Sequence, residues 1–185
     1  MGAAADVFSE RSVWGTSDLS TLVTVGNAHQ PFSRLMNVIS DAVEDLPQPI
    51  YVQHGHTPFY REGIIATPFM EMDVFDRAIA NADIIICHAG AGTLIRAIRA
   101  GKRPLVMPRQ QRFGEHIDDH QEEIAQAFAS KEKVLLFSDI RGLRGAIRLA
   151  QASGGLAASG PAISAMSSVL AEHLRDYANR LSFNK

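Results

Sequence analysis

Short apolar runs alternate with amphipathic stretches along most of the chain, and this alternation restricts the fold more than any other feature. Six runs have the length and the β-branched or apolar composition of strands. They cover residues 21–25, 50–53, 64–67, 83–87, 104–108 and 134–137. Because these runs are almost continuously apolar, they suit strands that are covered on both sides. The pattern predicts an α/β fold with a parallel sheet of about six strands and helices on both faces.

The segments between the strands carry apolar residues three or four positions apart, which predicts helices. We expect helices over residues 31–46, over a short segment capped by Asp73, and over 94–100, where Gly101 ends the helix. Further helices are predicted over 115–130 and from a cap at Ser138 or Asp139 to residue 152. Helices and strands therefore alternate throughout residues 21–152.

The two ends of the chain differ from this central region in composition. Residues 1–20 are small, polar and aperiodic, and are expected to form a flexible leader. Residues 153–161 are rich in Gly, Ala and Ser and are predicted to be a linker. Helical spacing returns over 162–185, where a C-terminal helix is expected. That helix either packs on the sheet or docks on a partner.

Composition excludes several classes of protein. A chain of 185 residues is long enough for one domain with its own core. The net charge of −2 argues against nucleic-acid binding by bulk electrostatics. There is no apolar run of bilayer-spanning length and no signal-peptide pattern, and the single cysteine, Cys87, fits a reducing cytoplasm and an inert core position.

A glycine-containing loop between a predicted strand and helix is the strongest candidate binding element. In residues 88–93, Gly90 and Gly92 allow close approach of a diphosphate, and Thr93 adds a hydroxyl at the helix start. Ile95 stands where a dinucleotide fingerprint has its third glycine. A tight turn that needs glycine only for packing is the alternative explanation.

Residues 108–121 form a second polar segment, at the same predicted edge of the sheet. His116 and His120 are spaced i, i+4 on the predicted helix, but no third metal ligand stands out and the usual zinc-protease order is absent. The His54-Gly55-His56 loop is more simply explained by hydrogen bonding or solvent exposure. We therefore expect no metal site.

Five stretches, taken together, resemble a known family. Residues 23–26, 53–55, 81–93, 100–104 and 108–121 occur in family order. With them the chain resembles the C-terminal half of family 28 glycosyltransferases, the MurG-like group. It is most similar to the PssE-like exopolysaccharide glycosyltransferase subunits of a single domain. The resemblance implies one Rossmann-like half of a GT-B fold.

The resemblance also implies roles for individual residues. The residues implied to bind the donor are Gly26, Phe69, Met70, His88, Gly90, Gly92, Thr93, Arg109 and Gln121. Phe69 and Met70 would hold uracil, and Gly90, Gly92 and Thr93 would face the diphosphate. The residues implied to be catalytic are Glu115, His116 and His120. Arg96 stands where MurG-like enzymes carry a ribose-binding glutamate, so ribose binding by that route is in doubt.

The function implied is the donor-binding subunit of a two-part, inverting glycosyltransferase that needs no cofactor. It would move glucuronic acid from a UDP-sugar to a lipid-linked saccharide. A PssD-like, membrane-anchored partner would bind the acceptor and keep the chain at the cytoplasmic face of the inner membrane. Alternatives are a UDP-N-acetylglucosamine transferase subunit, a non-catalytic nucleotide-sugar-binding subunit and a self-sufficient enzyme such as an epimerase. A Rossmann oxidoreductase is disfavoured by the missing third glycine.

Overall fold

A computed structural model describes residues 20–152 of the chain. The predicted leader over 1–20 lies outside the described residues except for Ser20. The predicted linker over 153–161 and C-terminal helix over 162–185 also lie outside them. Everything that follows about structure concerns residues 20–152.

The central element is a parallel sheet of six strands. The strands are β1 (Thr21–Thr24), β2 (Ile50–Gln53), β3 (Ile64–Thr67), β4 (Ile84–Cys87), β5 (Leu105–Val106) and β6 (Leu135–Leu136). They lie in the order β3-β2-β1-β4-β5-β6. Thr24 pairs with Gln53 on one side and with Cys87 on the other, so these three strands end level with one another. The prediction of a six-stranded parallel sheet is confirmed.

Five helices cover the two faces of the sheet. They are α1 (Ser33–Asp41), α2 (Met72–Asn81), α3 (Ala91–Arg99), α4 (His120–Ala129) and α5 (Ile140–Ala152). One core joins α2, α3 and α4 to the sheet residues Leu22 and Ile85. A second core joins α1 and α5 to the opposite face. In the described part of the chain, no helix combines the length and the apolarity that crossing a bilayer requires.

Two predicted helix boundaries were wrong in the first half of the chain. The first helix does not run to residue 46 but ends at Asp41, and a 3₁₀ turn follows at Val43–Asp45. The backbone N–H of Asp45 bonds to the Ala42 carbonyl, an i to i−3 bond that tightens the chain ahead of Pro47. Asp73 is not an N-cap, because α2 begins at Met72 and Asp73 pairs with Arg77 inside it.

Two more boundaries differ at the predicted site. Helix α3 begins at Ala91 rather than residue 94, so half of the glycine loop is its first turn. Helix α4 begins at His120 rather than residue 115. The segment before α4 instead folds as a loop, with a 3₁₀ turn at Gln111–Phe113 and Gly114 at φ +67°. The two histidines are therefore not on one helical face.

The chain reverses direction across the sheet between β1 and β4. From β1 it winds outward to β2 and β3, and then it returns to β4 and winds the other way to β5 and β6. The loops after β1 and β4 consequently diverge on opposite sides of the sheet. In open α/β sheets, ligands bind in the crevice that this divergence leaves at the carboxyl ends of the strands.

The N-cap of α5 can be tested directly, since the Asp139 side chain accepts a hydrogen bond from the Gly142 backbone N–H at 2.8 Å. Asp139→Ala should lower the free energy of unfolding by about 1 kcal/mol, measured by urea denaturation. Asp41→Ala, which removes an exposed carboxylate from the last residue of α1, should change it by less than about 0.5 kcal/mol. Equal losses in the two variants would contradict the capping role.

Candidate functional site

A cavity of about 330 Å³ lies at the divergence of the loops after β1 and β4. Its lining residues come from the carboxyl ends of the strands, from the start of α3 and from the first turn of α2. They are Thr24, Gly26, Asn27, Gln53, Met70, Met72, Phe75, His88, Gly90, Gly92, Thr93 and Arg96. The cavity therefore lies where parallel α/β sheets usually bind their ligands, and it is the candidate site.

Polar residues at the ends of β1 and β2 form the floor of the cavity. The Thr24 hydroxyl makes a short hydrogen bond to the Gln53 side-chain oxygen and accepts one from the Gly26 backbone N–H at 3.2 Å. The Gln53 side-chain nitrogen donates to Asn27 at 3.3 Å. Thr24 and Gln53 are buried, so these bonds hold the loop after β1 in place.

His88 joins the loops after β1 and β4 by packing its ring against two glycines. A Cβ on Gly26 would lie 2.5 Å from the ring, and one on Gly90 would lie 2.1 Å from its Nε2. Neither distance is compatible with van der Waals packing. Gly26 also has φ +74°, which side-chain-bearing residues rarely adopt. The two glycines thus make room for the imidazole at the cavity wall.

Burial keeps the His88 ring neutral. Desolvation lowers the pKa of His88 to about 3, and the positive charge of Arg109 adds to this effect. His116 also lowers the pKa, by a smaller amount. A neutral imidazole beside the cavity can donate one hydrogen bond and accept another, without bringing a positive charge.

The start of α3 gives the cavity its capacity for an anion. Gly90 is the N-cap, and the first intrahelical bond runs from the Leu94 N–H to the Gly90 carbonyl at 3.0 Å. The preceding N–H groups of the first turn have no partner within the helix. A Cβ placed on Gly92 would meet nothing within 4 Å, so the backbone there is open to the cavity. Unpaired amides and the positive end of the helix dipole favour a phosphate.

The opposite wall of the cavity is apolar. Met70, Met72 and Phe75 line it, and Met72 is 56% exposed. Phe69, predicted to bind the donor, does not line the cavity and instead packs edge-on against His56, with ring centroids 5.1 Å apart. An apolar surface in the same cavity as a helix start with unpaired amides suits a flat base joined to a phosphorylated sugar.

Arg109 braces the loops beneath the site rather than lining it. Its guanidinium is fully buried and donates to the carbonyls of Val25, Gln30 and Glu115 at 2.8–3.0 Å. It also stacks over Phe32, 4.7 Å from the ring centroid. Burial lowers the pKa of Arg109 to about 10, so the group remains charged at neutral pH. Its predicted contact with a donor is replaced by contacts with the backbone.

Glu115 and Gln121 are likewise engaged by the protein itself. Arg34 donates to both Glu115 carboxylate oxygens at 2.8 and 3.0 Å, and the Gln110 N–H donates to one of them at 3.0 Å. Gln121 is buried, and its side-chain oxygen accepts from the Arg109 N–H at 3.3 Å. Glu115 therefore holds the loop before α4 in shape.

Asp118 brings the two predicted histidines together. Its Oδ1 lies 3.0 Å from His116 Nδ1 and makes a short contact with His120 Nδ1. The two rings meet edge to face with centroids 4.6 Å apart. The three ligand-type atoms lie within 4.8 Å of one another, so this trio, which spacing alone did not reveal, has the groups to hold a metal ion. The expectation of no metal stays a prediction.

Most of the residues predicted to bind a donor converge on the cavity. Gly26, Met70, His88, Gly90, Gly92 and Thr93 line it. Phe69, Arg109 and Gln121 do not, nor do Glu115, His116 and His120. The cavity is also lined by residues that the sequence did not predict for the site, namely Thr24, Asn27, Gln53, Met72 and Phe75. Thr24 and Gln53 had one available signal, since each is a polar residue at the end of an apolar strand.

The fold defines a Rossmann-like domain, one half of a GT-B architecture, with a cavity at the carboxyl ends of its strands. Residues 21–135 match the glycosyltransferase family 28 C-terminal domain. This match spans more than half of the chain. The chain therefore belongs to the glycosyltransferase family 28 C-terminal domain family, which confirms the family 28 part of the resemblance.

One curated relative is similar over much of the chain. The UDP-N-acetylglucosamine transferase subunit ALG13 of Yarrowia lipolytica (strain CLIB 122 / E 150) is 30% identical over 131 residues. The alignment covers 64% of this chain, and the chain spans 64% of the length of that relative.

Three solved structures share the fold. The kitacinnamycin glycotransferase has a TM-score of 0.56 at 19% identity, with 95% of this chain and 43% of that chain covered. MurG of Acinetobacter baumannii has a TM-score of 0.50 at 20% identity, with 73% and 40% covered. The solution structure of ALG13 has a TM-score of 0.50 at 17% identity, with 73% and 86% covered. At these identities the likeness concerns the fold alone.

The packing of His88 predicts different outcomes for two neighbouring glycines. Gly90→Ala should lower the free energy of unfolding by about 1–3 kcal/mol, because the new methyl group displaces the His88 ring. Gly92→Ala should leave it unchanged or raise it by up to about 1 kcal/mol, since the methyl group enters open space in a helix. Chemical denaturation measures both. A Gly90→Ala variant as stable as Gly92→Ala would contradict the packing described.

The neutral His88 also predicts a pH dependence of stability. Below pH 6.5, the ordinary pKa of histidine, His88 of the unfolded chain binds a proton. In the folded protein His88 does not bind that proton until about pH 3. The contribution of the neutral His88 ring to the free energy of unfolding is therefore complete above pH 6.5. It is lost as the pH falls toward 3, by up to about 1.4 kcal/mol per pH unit. His88→Gln should therefore flatten the profile of the free energy of unfolding below pH 6.5.

A direct titration provides the second measurement for His88. Ring NMR shifts of His88 in the wild-type protein should show no protonation between about pH 7 and 5. Protonation of His88 in that range, or identical stability profiles for His88→Gln and wild type, would contradict the neutral buried ring.

Proposed function

We propose that this chain binds a UDP-sugar in the cavity and acts as the donor-binding half of a two-part glycosyltransferase. The observation that carries the proposal is the open start of α3, at Gly90 to Thr93, facing a cavity at the crevice of a family 28 domain. A single domain of this kind supplies one wall of a GT-B cleft. The other wall comes from the acceptor-binding partner.

The diphosphate is received by the first turn of α3. Its N–H groups lack intrahelical partners, and Gly92 leaves the approach open. Thr93, which also lines the cavity, adds a hydroxyl donor. These groups stabilise the negative charge that develops on UDP as it leaves, so we propose that transfer needs no resident metal.

The nucleoside occupies the apolar side of the cavity. Met70, Met72 and Phe75 offer a surface on which uracil can pack. Backbone groups of Met70, which follows β3 and lines the cavity, supply the polar contacts to the base. This arrangement directs the donor sugar toward His116, in the loop before α4, and toward His120, the first residue of α4.

We assign the proton-accepting role to His116 and His120. Asp118 Oδ1 contacts the Nδ1 atom of each ring, and in the tautomer that donates Nδ1–H to Asp118 a ring presents Nε2 to accept a proton. An acceptor hydroxyl attacks the anomeric carbon, the bond from that carbon to UDP breaks with inversion, and the hydroxyl proton passes to an Nε2. Glu115, held by Arg34 and the Gln110 N–H, supports this loop instead of taking the proton.

Glucuronic acid is the proposed sugar, delivered to a lipid-linked saccharide in exopolysaccharide synthesis. With Arg109 occupied by backbone carbonyls, Arg112 is the exposed guanidinium of this loop that can pair with a uronate. The partner is a PssD-like, membrane-anchored subunit at the cytoplasmic face of the inner membrane. Through it the chain associates with the membrane peripherally.

The second candidate is transfer of N-acetylglucosamine from its UDP-sugar. The observation that favours it is the 30% identity to a subunit with that stated activity. The two candidates share the nucleotide site and differ only in the sugar, so one donor panel separates them.

A combined binding and transfer measurement tests the proposal. Gly92→Asp should weaken UDP binding more than about tenfold, since it brings a carboxylate to the diphosphate site. The rate of sugar transfer by Gly92→Asp, measured in membranes that contain the partner, should decrease together with UDP binding. Gly145→Asp is the matched control, because Gly145 is also helical with open space beside it.

His120→Ala should keep UDP binding and lose transfer.

Three results would contradict parts of the proposal. Absence of UDP binding by the wild-type chain would remove the nucleotide site. Unchanged transfer by Gly92→Asp and His120→Ala, in a pair that still assembles, would indicate a non-catalytic subunit. Turnover by the purified chain without a partner would contradict the two-part enzyme.

A further inference from the structure

An ion pair joins α2 to α3 beside the cavity. Arg96 Nη1 lies 2.6 Å from one Asp76 carboxylate oxygen and 2.8 Å from the other. Both side chains are partly exposed, at 39% for Arg96 and 48% for Asp76. A pair this exposed contributes little to stability, so stability alone does not explain its geometry.

The position of the pair connects it to the nucleotide site. Arg96 and Gly92 line both the 330 Å³ cavity and an adjoining groove of about 470 Å³, and Asp76 lines that groove. Met72, one turn earlier on α2, lines the cavity. Residues four apart share a helical face, so Asp76 lies on the same face of α2 as Met72, next to the cavity.

The cavity itself lacks a carboxylate. Among its lining residues in the described part of the chain, the one with a formal charge is Arg96, and Arg96 cannot accept a hydrogen bond. Vicinal sugar hydroxyls are donors that nucleotide-binding folds commonly satisfy with a carboxylate. A carboxylate offers about four lone-pair sites, and Arg96 occupies one on each oxygen. Asp76 therefore retains acceptor capacity for two hydroxyls.

We propose that Asp76, held in place by Arg96, accepts hydrogen bonds from the ribose hydroxyls of the bound nucleotide. This rests on the proposed function, since it requires a ribonucleotide in the cavity. Arg96 stands where the sequence resemblance led us to expect a glutamate for this purpose. The carboxylate is thus supplied from α2, and the residue on α3 becomes the positioning residue that orients it.

The experiment compares UDP with 2′-deoxy-UDP by titration calorimetry. The wild-type chain should prefer UDP by about tenfold, the effect of one hydrogen bond to a charged acceptor. Asp76→Asn should bind UDP about tenfold more weakly and show little preference between the two ligands. Asp73→Asn is the matched control, because it removes another carboxylate of α2 that pairs with an arginine but lines neither cavity. It should behave as wild type.

Arg96→Leu tests the positioning role. It should reduce the preference for UDP less than Asp76→Asn does, since the carboxylate remains but loses its anchor. A wild-type preference retained by Asp76→Asn would overturn the inference. The inference would also be overturned if Arg96→Leu bound both ligands equally weakly while Asp76→Asn bound them as wild type does. That result would assign Arg96 to the diphosphate. Wild-type chain that binds neither ligand would instead refute the nucleotide site itself.

Discussion

The close contact between His88 and two glycines is the constraint on which the site depends. The ring occupies space that any side chain at Gly26 or Gly90 would fill, so the loops after β1 and β4 fit together only in this combination. Because these strands are neighbours where the sheet reverses its winding, the contact defines the crevice. The start of α3, Thr24 and the buried Arg109 then hold fixed positions around it.

The fold was largely predictable because its signals are local. Near-continuous apolar runs such as Ile84–Cys87 indicate buried parallel strands, and a parallel sheet brings the carboxyl ends of its strands to one edge. Glycines after β1 and β4 then mark where a backbone approaches a ligand. Six of the residues predicted to bind a donor line one cavity at that edge, and their role in binding stays a prediction.

The remaining features depend on contacts between distant parts of the chain. Nothing near Glu115 in the sequence indicates that Arg34, 81 residues away, bonds to its carboxylate and helps hold residues 115–119 out of the helix. The same holds for Arg109, whose polar surroundings in sequence suggest a ligand-binding residue but whose side chain is buried against carbonyls. Asp118 and Asp76 become relevant only through their partners, His116 and His120 for the first and Arg96 for the second.

The most direct measurement is the amide NMR spectrum of ¹⁵N-labelled protein during a titration with UDP. The account predicts that the largest shifts occur at Gly90, Ala91, Gly92 and Thr93, with smaller shifts at Gly26 across the crevice. Amides on the far edge of the sheet, at the amino ends of the strands, should not change. Saturable shifts that avoid the start of α3, or a spectrum unchanged by UDP, would contradict the central claim that this helix start receives the diphosphate.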